Sequence, residues 1–122
     1  MKDIEYIYVL RAREILEIHQ EISTTVPIND ASEDKTLTEI PLVLFFDEYR
    51  FFIYNNWIIA GNITNFRELI GKKIMNIAVE NQFLILTFDA SGSIRVDISD
   101  EGYNGPESLV LHGPNNSFVV WN

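Results

Sequence analysis

Apolar residues along this chain recur at period two or in short unbroken runs, bounded by Gly, Pro, Asn and Asp, which is how strands rather than helices space buried side chains. Phe83–Asp89 and Ser93–Ser99, joined by Asp89-Ala90-Ser91-Gly92, predict a hairpin. In its second arm Ile94, Val96 and Ile98 share one face, while Ser93, Arg95, Asp97 and Ser99 share the other, so that arm is half exposed. The first arm is apolar on both faces, Phe83 and Ile85 opposite Leu84, Leu86 and Phe88, and belongs inside a sheet covered on both sides. Leu42–Phe46 and Phe51–Tyr54 predict a second hairpin through Asp47-Glu48-Tyr49-Arg50. Trp57–Ala60 follows the turn pair Asn55-Asn56 and is closed by Gly61. Ser108–His112 and Ser117–Trp121 flank Gly113-Pro114-Asn115-Asn116, a third turn between β-favouring runs.

One short helix is predicted after Asn65, which can cap it, with Glu68 reaching back and Gly71 ending it in the left-handed region. The N-terminus admits two readings. Ile4, Ile7, Tyr8, Ile15, Ile18 and Ile22 fit a helical stripe, and Arg11–Glu17 has good helix propensity. An internal echo favours a strand instead at Glu14–Glu21, and Ile4–Leu10 is also read as a strand. Ser23–Thr38, with Pro27, Asn29-Asp30 and Glu33-Asp34, is a long exposed loop of a length that is functional or disordered in compact domains. Glu101–Pro106 is a second, shorter loop.

The echo is specific in its positions. Leu42-Val43-Leu44-Phe45-Phe46-Asp47 returns as Leu84-Ile85-Leu86-Thr87-Phe88-Asp89, and Leu10–Ile18 returns as Leu69–Ile77. Residues 1–122 therefore read as one all-β domain with one short helix, made of two related hairpin-based halves at approximately 10–60 and 69–121. The two halves would form a sandwich or a partly open barrel.

Composition narrows the function classes. With 122 residues and 47% hydrophobic content the chain can bury a core, and it has no cysteine for disulfides or zinc ribbons. No leader is visible and the longest apolar runs fall short of the ~18 residues of a membrane span, so a cytoplasmic protein is expected. Net charge is −9 and uneven: nine carboxylates between Glu14 and Glu48 face one base, Lys35, and no Lys or Arg follows Val96. Such a surface repels phosphate backbones and anionic membranes, and it serves either solubility or attraction to a basic protein partner. Exposed edge strands also leave room for a homo-oligomer.

Candidate chemistry is sparse. His19 and His112 have no metal-ligand spacing to a second donor, and Asp97-x-Ser99-Asp100-Glu101 lacks the ligand pattern of a calcium loop. Asp47 and Asp89 sit where Asp starts turns by bonding its own backbone. No phosphate loop or nucleophile elbow is present. Trp57, Trp121, Tyr49, Tyr54 and Tyr103 are core aromatics or a stacking platform. No catalytic residue, metal or cofactor is expected. Two functions stay open. In the first, Glu33, Asp34, Asp97, Asp100, Glu101 and Glu107 dock a basic partner without catalysis. In the second, His112 and Glu107, with Tyr103 and Trp121, line the pocket of a ligand-binding or enzymatic barrel.

Leu69-Ile70-Gly71-Lys72-Lys73-Ile74, then Leu84–Asp89, Gly92 and Ile94, resembles small bacterial β domains of uncharacterised function, some of them immunity proteins encoded beside toxins. The resemblance is best over residues 69–98 and offers no catalytic residues to transfer. It implies an inhibitory protein, whose acidic surface would suit the basic clefts of nuclease toxins.

Overall fold

In the computed structural model, residues 3–20, 41–89, 92–99 and 108–121 are described. Nine strands are formed there: β1 (Glu17–Gln20), β2 (Leu42–Phe45), β3 (Arg50–Ile53), β4 (Trp57–Gly61), β5 (Ile74–Glu80), β6 (Phe83–Phe88), β7 (Gly92–Asp97), β8 (Leu109–His112) and β9 (Phe118–Trp121). They make two antiparallel sheets, ordered β1-β2-β3-β8-β9 and β4-β7-β6-β5. The protein is an all-β, two-sheet arrangement, and the inner faces share one core cluster.

Strand position follows from composition. β2 and β6, the runs apolar on both faces, lie inside their sheets, β2 between β1 and β3 and β6 between β7 and β5. Leu42, Leu44, Leu84 and Leu86 are completely buried, and each contributes about 2 kcal/mol relative to exposure. On β7 the expected alternation holds: Ile94 and Val96 are fully buried and Arg95 is exposed.

Each half contributes a three-strand meander, β1-β2-β3 or β5-β6-β7, and then sends its next strand to the other sheet. β4 pairs with β7, and β8 pairs with β3. The halves meet where Glu14 bridges Lys73, two residues at matched positions of the echo. The bonds around that point are reciprocal. Ala12 N–H donates to the Ile74 carbonyl and Gly71 N–H donates to the Ile15 carbonyl, both at 2.7 Å. Ile15 N–H donates to Lys72 at 2.9 Å and Ile74 N–H to Arg13 at 3.2 Å. Matched Ala12 and Gly71 both take positive φ, 69° and 90°. Reciprocity of this kind is the mark of a twofold axis.

Several expectations are corrected. Ile4–Leu10 is a 3₁₀ helix rather than a strand. Ile7 and Leu10, three residues apart, are buried on one side while Tyr6, Tyr8 and Val9 face out, the eclipsed spacing of that helix. The strand expected over Glu14–Glu21 begins only at Glu17, because Glu14 is drawn into the bridge to Lys73. The predicted helix is also 3₁₀, Phe66–Leu69, with Asn65 Oδ1 accepting from Arg67 N–H and Gly71 at positive φ just beyond. Glu68 reaches back to Thr64 N–H and Oγ1, one residue before the cap. A third such turn, Pro114–Asn116, links β8 to β9, so the single helix becomes three short ones among the described residues. Gly92 belongs to β7 and not to the turn. The loops Ser23–Thr38 and Glu101–Pro106 lie outside the described residues. No helix among the described residues is long and apolar enough to cross a membrane.

Candidate binding face of the five-stranded sheet

Directly paired residues in an antiparallel sheet project to the same face, so register alone assembles the outer surface of the five-stranded sheet. One row reads Glu17, Phe45, Arg50, His112, Phe118, and the next reads His19, Val43, Phe52, Val110, Val120. The opposite parity, with Ile18, Leu44, Phe51, Leu111 and Leu109, points into the core.

Rings and cations interlock on this face. His19 lies 4.7 Å from Phe45 between ring centroids, and its Nε2 is 3.0 Å from Glu17 Oε1. Arg50 holds its guanidinium carbon 5.5 Å over Phe45. His112 sits between Phe52 at 5.2 Å and Phe118 at 5.7 Å, and Phe52 stacks on Tyr54 at 6.2 Å. Val43 and Val110 are buried beneath these neighbours, although they face away from the core. Phe118 stays 63% exposed at the end of its row.

A cleft of 440 Å³ opens beside His112 and Arg50. Its walls are the β2–β3 turn, with Phe46, Glu48 and Tyr49, and the β8–β9 turn, with Gly113 and Asn116. Arg13 braces the first turn from outside, its guanidinium carbon 4.5 Å over the Tyr49 ring and its Nε donating to the Val9 carbonyl at 3.0 Å. Among the described residues Arg50 has no carboxylate within ion-pair distance, so its guanidinium is open to a ligand, with Glu17 and Glu48 lining the same cleft. No three His, Asp or Glu side chains converge as metal ligands among the described residues. What the surface offers chemically is recognition: ring faces, one guanidinium, two imidazoles and the carboxylates of Glu17 and Glu48.

The sequence-predicted residues scatter. His112 lines the cleft. Trp121 does not: it pairs with Leu109 on the inner face, is 3% exposed, and leaves its Nε1 without a hydrogen-bond partner. Its inward parity, set by β9 pairing with β8, removes it from the pocket proposed for it. Asp97 belongs to the other sheet, where its carboxylate accepts from Ser99 N–H at 2.9 Å and from Ser99 Oγ, and so is already engaged in a local turn. Asp89 Oδ1 accepts from Lys73 N–H at 3.2 Å, tying β5 to the end of β6. Glu33, Asp34, Asp100, Glu101, Glu107 and Tyr103 lie outside the described residues.

Sequence reasoning passed over Phe45, Arg50, Phe52 and Phe118 as site residues. The available signal was the alternation of β3, where Arg50, Phe52 and Tyr54 share one parity and Phe51 and Ile53 the other. Comparison of the chain with protein-family models, curated proteins and solved structures finds no match.

Proposed function

We propose that this chain is a non-enzymatic binding protein, inhibitory in the manner of an immunity protein, which engages a basic protein partner in the cytoplasm through the outer face of its five-stranded sheet. The observation that carries this reading is the ring-lined surface of Phe45, Phe52 and Phe118 on a chain of net charge −9. Aromatic and Arg side chains concentrate at the energetic centres of interfaces. A cation over such a ring contributes about 0.5–2 kcal/mol, most where water is excluded. Long-range attraction to the acidic chain steers the encounter, and the rings then hold incoming Arg or Lys side chains.

The test is an NMR titration of the labelled chain with octa-arginine and, separately, octa-glutamate. Octa-arginine is expected to shift the amides of Phe45, Phe52, His112 and Phe118, with affinity falling several-fold between about 50 and about 300 mM salt. Octa-glutamate leaves them in place. If octa-arginine perturbs nothing on this face at low salt, the basic-partner reading is lost.

The cleft beside His112 favours a second reading, a small-ligand site in which Arg50 and His112 hold an anionic group. A panel of small carboxylates would then raise the melting temperature, and Arg50→Ala would abolish the rise. An unchanged melting temperature across the panel removes this reading.

A further inference from the structure

Sheet edges carry unpaired backbone groups, and natural proteins blunt them with charge, proline or bulges. β1 carries Glu17 and His19, and β5 carries Glu80 and a register shift between Ile74 and Asn76. β9, Phe118-Val119-Val120-Trp121, carries no charge and no proline, and its pairing with β8 runs without a bulge. β4 is neutral as well, but β9 alone of the two adds an exposed ring, Phe118.

The phase of β9 is fixed by its turn. Gly113 N–H donates to the Ser117 carbonyl at 2.8 Å, and bonded pairs alternate along an antiparallel ladder. Ser117, Val119 and Trp121 therefore turn their backbone groups toward β8, while Phe118 and Val120 turn theirs outward. Among the described residues, no hydrogen bond reaches the outward backbone groups of Phe118 or Val120. Alongside them runs a groove of 220 Å³ between β9 and the Ile4–Leu10 helix, with Tyr6 and Val9 on one wall and Tyr49, Leu111 and Val119 beneath. Tyr6 is 54% exposed and Val9 37% exposed, so the wall is uncovered apolar surface.

We propose that the free edge of β9 is a strand-addition site which takes an extended segment of alternating basic and apolar residues from the partner. This rests on the basic-partner reading above and specifies its docking mode. Main-chain bonds to Phe118 and Val120 supply affinity, and alternate side chains supply specificity. Residues opposite Val119 drop into the groove and are apolar. A residue opposite Phe118 extends the row Phe45, Arg50, His112, Phe118, and is Arg or Lys. The structure contains the precedent within that row, where Arg50 lies over Phe45 from the neighbouring strand. A second copy of the chain is disfavoured as occupant because each copy brings net charge −9 to the junction.

The probe is the peptide Arg-Val-Arg-Val-Arg-Val, compared with the same peptide N-methylated at its Arg residues, whose N–H groups would face β9. The unmodified peptide is expected to bind the full chain and shift the amides of Phe118, Val119 and Val120. N-methylation should weaken binding about tenfold or more. Val120→Pro should do the same with melting temperature little changed, because the lost N–H points away from β8. Equal binding of the methylated peptide overturns strand addition and leaves the basic-partner reading standing. So does a response to octa-arginine on the sheet face with none at β9 to the alternating peptide. A dimer in ultracentrifugation that Val120→Pro converts to monomer assigns the edge to a second copy and overturns the proposal. Silence toward every basic peptide removes both readings together.

Discussion

Ile18 against Leu44 in one sheet and Ile77 against Leu86 in the other occupy matched positions of the echo, and all four side chains are buried. The outward positions share nothing comparable. The five-stranded sheet presents Phe45, Phe52 and Phe118 with Arg50 and two histidines. The four-stranded sheet presents Ile58, Arg95, Ile85 and Ala78 in one row, Ala60, Ser93, Thr87 and Asn76 in another, and Asp97, Phe83 and Glu80 in a third, with one ring against three. Packing holds the inward residues to a common pattern, because a volume change there costs stability. Outward residues are released from that demand and can be given to recognition. The difference between the two outer faces is what the proposed binding role draws on.

The matched interior invites the strongest test. Leu44→Ala and Leu86→Ala should each lower stability by about 3 kcal/mol, measured by urea unfolding, since both leave cavities at fully buried central strands. A cost of under about 1 kcal/mol at either would mean that its sheet collapses onto the gap, and the interiors are not equivalent. Next comes a place where the halves differ. A Cβ at Gly92 would stand 2.9 Å from Ile63 Cδ1, so Gly92→Ala should cost about 1–2 kcal/mol by the same measurement. Smaller again is the contrast of helix starts. Asn65 caps its 3₁₀ turn by accepting from Arg67 N–H at 2.9 Å, whereas Asp3 makes no side-chain cap. Asn65→Ala should cost about 1 kcal/mol and Asp3→Ala close to nothing. An effect on stability as small as that of Asp3→Ala belongs to the outer face: Phe118→Ser should stay within about 0.5 kcal/mol of the parent in unfolding while weakening octa-arginine binding. A large loss of stability there would make Phe118 a packing residue and blur the distinction between faces.

Much of the strand content was legible because its code is local. β7 follows from period-two alternation, β2, β3 and β6 from short apolar runs bounded by turn residues, and β8 and β9 from the turn at Gly113-Pro114. The N-terminal helix was not legible as such, since Ile4-Glu5-Tyr6-Ile7-Tyr8-Val9-Leu10 is rich in β-favouring residues and tertiary burial of Ile7 and Leu10 overrides propensity. The exchange of β4 and β8 between sheets is a non-local choice that no short window contains. The same limit hid the candidate binding face. Alternation shows that Phe118 and Trp121 lie on opposite sides of β9, but only pairing with β8 decides which side faces water. His112 was named from its chemistry, while Phe52 and Phe118, which flank it, come from two other strands.

The exchange of β4 and β8 has a consequence for how the protein is held together. Each meander ends beside a strand synthesised in the opposite half, so severing the chain between them leaves two fragments with an unclosed sheet apiece. In either fragment the last strand of the meander, β3 or β7, would lose its cross-half neighbour and expose one row of backbone donors and acceptors.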